Sequence, residues 1–148
     1  MFKHILVSTD GSTLSTKAIR MAAKLAGATG AKLTGAYVIA PWVSPVYSEG
    51  SMYMAAVSSK RYKEITERAA REALAVVEIE SRTAGTAYGS AMLTANTPWE
   101  GIIHAAQSKK CDLIVMASHG RRGLASLMLG SETAKVLTHS KIPVLVCR

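Results

Sequence analysis

Five short apolar runs, separated by segments of helical periodicity, constrain this chain more than any other feature. The runs are residues 3–9, 32–39, 86–95, 112–117 and 143–147. Between them, apolar side chains recur every three or four positions. Leu14, Ala18, Met21, Ala22 and Leu25 mark a first helix. Tyr62, Ile65, Ala69, Ala73 and Val76 mark the inner face of a longer one over about 54–83. Trp99, Ile102, Ile103 and Ala106 mark a third, and Ala134, Val136 and Leu137 a fourth. Strands that are continuously apolar and alternate with helices form parallel sheets covered on both faces. The expectation is one α/β domain over residues 1–148, a Rossmann-like three-layer sandwich. Its five-stranded parallel sheet has the order 3-2-1-4-5, with two helices on each face. In that order the winding reverses between the first and fourth strands, and ligands bind at the carboxyl ends of the strands there.

Local signals mark the element ends. Ser12 stands at an N-cap position. Gly27 and Gly30 end the first helix and Gly85 the second. Thr97-Pro98-Trp99-Glu100 reads as a capping box with proline at the first helical position. Ser131 reads as the cap of the last helix, and Pro143 starts the last strand, where a missing donor is tolerated. Pro41 and Pro45 flank a loop that carries Trp42 and Tyr47 and runs to about Gly50.

The runs are too short for a membrane span, which needs roughly 20 apolar residues. The first turns polar at Ser8-Thr9-Asp10, too soon for a signal-peptide core. A cytoplasmic protein with no membrane partner is expected. Cys111 and Cys147 lack CxxC or Cys/His ligand spacing and read as packing residues. The net charge is +8. Residues 109–148 carry seven Lys and Arg against Asp112 and Glu132, so part of the basic surplus lies beside one glycine-rich loop. With one Phe and no aromatic-basic interleaving, nucleic acid is not the expected partner.

That loop lies in residues 112–131, DLIVMASHGRRGLASLMLGS. A buried strand that empties into a glycine-punctuated loop and then a helix start is an anion site. Backbone N–H groups point at the anion and glycine lets the chain approach. Gly120, Gly130 and the N–H groups of Ser131 and Glu132 are the candidate phosphate holders, with Ser131 adding a hydroxyl. A loop that needs its glycines for backbone reasons alone is the competing reading. Arg121 and Arg122 either screen phosphate or are merely solvated. Asp10, across the crevice, is either a ribose acceptor or a turn residue. Val38 and Ile39 offer either an apolar edge to a base or core packing. His119 is the histidine nearest the loop. His4, His104 and His139 read as surface or packing residues, and no pair has metal-ligand spacing.

Several absences narrow the chemistry. GxxxxGK[ST] is missing, so no P-loop lysine reaches terminal phosphates. GxGxxG is missing after the first strand, and no acid follows the third. No Ser/His/Asp set or carboxylate pair suggests hydrolysis. No catalytic residue is assigned, and a binding module is expected rather than an enzyme.

The chain resembles the universal stress protein family over essentially all 148 residues. The resemblance is carried by His4 to Ser12 (HILVSTDGS), by Asp112 to Gly120 and by Ser140 to Val146. The family's nucleotide-binding members carry G-x2-G-x9-G-[S/T] after the fourth strand. In this sequence that frame falls on Ala117, Gly120, Gly130 and Ser131. Ala117 departs from the first glycine, and its methyl is expected to crowd an approaching phosphate or ribose. The resemblance implies an adenine-nucleotide-binding stress-response protein, with ATP or AMP as ligand (with or without Mg2+) and little or slow ATPase activity. It also implies a homodimer through the last strand, Pro143 to Cys147. Within the site it implies Asp10 on the ribose, Val38 on the adenine, and Gly120, Gly130 and Ser131 on the phosphates. Met116 and Gly123 would complete the wall. The alternative is a dimeric interaction or signalling protein of the same fold that binds no nucleotide.

Overall fold

The structure, a computed structural model, describes residues 1–43, 57–120 and 129–148. Strands and helices alternate strictly: β1 (His4–Ser8), α1 (Thr13–Thr29), β2 (Lys32–Ile39), α2 (Ser59–Thr83), β3 (Tyr88–Thr94), α3 (Pro98–Ser108), β4 (Leu113–Ala117), α4 (Ser131–His139) and β5 (Val144–Cys147). All strand pairs are parallel, as the alternation requires, and the sheet order is the expected β3-β2-β1-β4-β5. No helix among the described residues is long and apolar enough to cross a membrane.

The pleat sends alternate side chains to opposite faces. Ile5 and Val7 of β1, with Leu113, Val115 and Ala117 of β4, face α1 and the Val77 turn of α2. Leu6, Ile114 and Met116 face α3 and Val136 of α4. Two helices therefore cover each face. β1 and β4, flanked by strands on both sides, are almost wholly buried.

Both long helices bury a stripe rotated by one residue from the expected one. In α1, Ile19, Ala22, Ala23 and Ala26 are buried, whereas Met21 is 51% exposed. In α2, Ala70, Ala73, Leu74 and Val77 are buried, and Ile65 is 48% exposed. Alanines interleave with Ile19, Leu74 and Val77 on these inner faces, and the helices approach each other closely. At Gly27, a side-chain carbon would stand 2.9 Å from the Ala84 carbonyl oxygen. Gly27 thus lies within α1 as a point of close helix approach; Gly30, at φ 68°, ends it.

α2 begins at Ser59, where the Ser58 side chain accepts a hydrogen bond from the Arg61 N–H (3.2 Å). Its C-cap is Ala84, and Gly85 follows in the left-handed region. Ser12 caps α1 as expected, accepting from the Ser15 N–H (3.1 Å). The cap of α4 is Gly130, and Ser131 is the first helical residue. Tyr47, Pro45, Gly50 and Met54 lie outside the described residues.

At the amino ends of the strands, Asp112 accepts from the Lys3 and His4 N–H groups (2.8 and 3.0 Å). His4 Nε2 lies 2.8 Å from Thr34 Oγ1. Burial first, then the Lys32 ammonium, push the His4 pKa below its ordinary 6.5, and the Lys109 carbonyl and Asp112 only partly offset them. The unfolded chain therefore binds the extra proton more readily. The His4 contribution is intact above about pH 6.5 and is lost as pH falls through the lower folded value. Urea unfolding at pH 7.5, 6.5 and 5.5 is expected to show stability declining with acidification, less steeply in His4→Gln.

Candidate functional site

The sheet order makes β1 and β4 neighbours, so the segments after them meet at the reversal of winding. After β1 the chain turns at Thr9-Asp10-Gly11 into α1. Thr9 Oγ1 lies 3.0 Å from Ser15 Oγ and accepts from the Gly11 N–H. Asp10 Oδ1 accepts from the Ser12 N–H (3.0 Å). Its other oxygen, Oδ2, is 2.7 Å from the place a side-chain carbon on Gly120 would occupy. The acid and the glycine thus face each other closely, and a side chain at position 120 would have to displace the Asp10 carboxylate. Asp10 serves the turn and faces the loop at once.

After β4 the chain leaves at Ser118 and returns at Gly130. The Ser118 N–H donates to the Cys147 carbonyl (2.7 Å), and the Gly130 N–H donates to the Ser118 carbonyl (2.7 Å), closing the base of the loop. Thr133, buried in the first turn of α4, donates its hydroxyl to the Ala117 carbonyl (3.0 Å). A side-chain carbon on Gly130 would lie 3.1 Å from His119 Cα and 3.2 Å from the Ser118 carbonyl oxygen. Gly130 therefore allows a close approach that a side chain would admit only after small shifts of the loop, and its N–H is engaged within the loop. The Ser131, Glu132 and Thr133 N–H groups form the first turn of α4, where no intrahelical acceptor exists. Together with the dipole they favour an anion there.

The other site residues fall in distinct places. Val38, next to last in β2, is half-buried on the α3/α4 face, pressed against Gly101. Met116, on the same face, is 4% exposed and lies beneath the crevice as part of the core. Ser131 is exposed at the start of α4. The Ala117 methyl lies in the α1-side cluster, with Leu14 and Cys147 packed near it, on the face opposite Met116. Gly123, Arg121 and Arg122 lie outside the described residues. Burial pushes the Cys111 thiol up to about 11 and raises that of Cys147, so neither favours the reactive thiolate. Among the described residues no group of three or more His, Cys, Asp or Glu is placed to hold a metal ion.

Two contacts were not legible in the sequence: Thr133 with the end of β4, and the Glu132 side chain with the start of α3. Glu132 Oε2 accepts from the Trp99 N–H at the start of α3 (3.0 Å). The expected capping box does not form there. Thr97 makes no cap hydrogen bond, and its hydroxyl instead donates to Glu100 Oε2 (2.6 Å). A local motif was legible, but a competing acceptor 33 residues away was not.

A doubly wound parallel sheet with an acid and a glycine loop face to face at its switch point defines the general class of α/β protein. A model of the universal stress protein family matches residues 1–148. A relative from Thermus aquaticus, the universal stress protein in the QAH/OAS sulfhydrylase 3′ region, is 35% identical over 148 residues, with all of both chains covered. A universal stress protein solved in complex with cAMP is similar in structure, with a TM-score of 0.69 and 27% identity over 99% of this chain and 97% of its own. The MJ0577 protein of Methanocaldococcus jannaschii has a TM-score of 0.75 and 25% identity over 99% and 96% of the two chains. The chain belongs to the universal stress protein family.

Proposed function

We propose that the chain binds an adenine nucleotide, ATP or AMP, with or without Mg2+, in the crevice between the carboxyl ends of β1 and β4. The observation that carries this reading is Asp10 facing Gly120 at contact distance beside the first turn of α4. In this arrangement Asp10 takes the ribose hydroxyls and Val38 borders the adenine. The Gly120 backbone, the approach opened by Gly130, and Ser131 with the free first turn of α4 take the phosphates. Met116 backs the base-facing wall from inside the core, and Gly123 belongs to the same wall. Placement of the Ala117 methyl in the α1-side core supports binding despite the missing first glycine. The cAMP complex of a relative at 27% identity supports an adenine nucleotide as ligand.

The sequence carries no P-loop lysine, which supports little or slow ATP hydrolysis. A homodimer is proposed through β5, which ends the sheet and exposes Leu145. Work in the cytoplasm during stress response completes the proposal. ATP at about a hundred times its dissociation constant is expected to stabilise the chain by about 2.7 kcal/mol. That corresponds to about 5–10 °C in melting temperature for a chain near this size. Unchanged melting with millimolar ATP, ADP, AMP and cAMP would sink the reading. Nucleotide-free protein from gentle purification, together with that result, would favour an interaction protein of the same fold.

A further inference from the structure

The first turn of α3 is capped from another helix. Glu132, the second residue of α4, takes the Trp99 N–H on Oε2 (3.0 Å) and the Lys135 ammonium on Oε1 (3.3 Å). At the far end of α4, the His139 ring lies against the Trp99 ring, with centroids 4.6 Å apart and planes inclined by 33°. The start of α3 is thus tied to both ends of α4. On its other side the same turn presses on Val38. A side-chain carbon on Gly101 would stand 2.8 Å from both Val38 methyl carbons and 3.1 Å from Ala95 Cβ. One helical turn therefore touches the proposed base-facing wall and is hydrogen-bonded to the proposed phosphate-facing helix start.

We infer that Glu132 is a positioning residue of this site: by capping α3 it holds the amino end of α4 at a set spacing from Val38. The inference rests on the nucleotide reading above. It also accounts for a carboxylate in the first turn of a phosphate-facing helix. Engaged by an N–H group and an ammonium, the Glu132 charge is drawn toward α3 and partly neutralised. A carboxylate acting only through its charge would weaken phosphate binding, so removing it would tighten ATP. A carboxylate that positions α4 gives the opposite sign, because its loss lets the phosphate and base ends of the site drift apart. Adenosine, which does not reach the α4 end, is insensitive to that drift.

The test measures ATP and adenosine affinity by calorimetry for the wild-type chain, Glu132→Ala and Glu132→Gln, together with hydrogen exchange at the Trp99 amide. Glu132→Ala is expected to weaken ATP about fivefold, the size of a lost helix cap. Adenosine affinity is expected to hold, and the Trp99 amide to lose protection. Glu132→Gln keeps an acceptor oxygen for Trp99 and is expected to restore ATP affinity. Tighter ATP binding in both variants, or unchanged ATP binding in Glu132→Ala, overturns the positioning role. Failure of the wild-type chain to bind either ligand overturns the nucleotide reading itself, and the positioning role with it.

Discussion

Gly130→Asp is expected to abolish the rise in melting temperature that ATP gives the wild-type chain, while leaving the ligand-free protein folded. Gly130 is the N-cap of α4, at φ −73° and ψ 153°, a backbone conformation open to any residue. The substitution therefore acts through space and charge. The new side-chain carbon would meet His119 Cα at 3.1 Å and the Ser118 carbonyl oxygen at 3.2 Å, and small shifts of the loop are needed to admit it. Aspartate is also one of the best N-cap residues, although glycine caps nearly as well, so the exchange returns only about a few tenths of a kcal/mol against the crowding. The same carboxylate then sits where a phosphate is proposed to meet the first turn of α4, repelling it and occupying its N–H donors. Thermal melts of both proteins, with and without millimolar ATP, check this. A retained ATP shift in Gly130→Asp means that the phosphates lie elsewhere.

The largest stability effect is expected at Ile114→Ala. Ile114 is fully buried in β4, paired with Leu6 of β1 and Val144 of β5, and covered by α3 and α4. Truncating a buried isoleucine costs about 2–5 kcal/mol, because the closely packed surroundings close the cavity only in part. At about 3 kcal/mol and about 2–4 °C per kcal/mol for this chain length, the melting temperature falls by about 6–12 °C. Met21→Ala is the contrast. Periodicity alone assigns Met21 to the inner face of α1, yet it is half exposed. Its truncation is expected to stay within about 0.5 kcal/mol of the wild type. Calorimetric scans of both variants separate the two faces directly.

These residues show how far the sequence reaches. Alternating apolar runs and helical periods dictated a parallel sheet with helices on both faces, because continuously apolar strands must be covered on both sides; the expected 3-2-1-4-5 order, which puts the crevice between β1 and β4, is the one the structure has. The family and the Asp10, Gly120 and Gly130 frame were legible for the same reason: they are local in sequence and regularly spaced. Which helical stripe turned inward was not legible in that way. Stripes running through Ile19, Ala23 and Ala26, and through Ala70, Leu74 and Val77, took the inner faces, because which side of a helix meets the sheet is a property of the packed layers.

Pairings across the fold were decided by tertiary structure alone. Glu132 reaches Trp99 from another helix and replaces an expected capping box, whose threonine is drawn to Glu100 instead. Ala117 looked like an obstruction when read along the chain, but the pleat of β4 turns its methyl toward α1. Sequence spacing determines which residues share a strand, a turn or a loop. The acceptor a buried donor finds, and the face a side chain takes, depend on neighbours brought together only when the sheet and its two helical layers close.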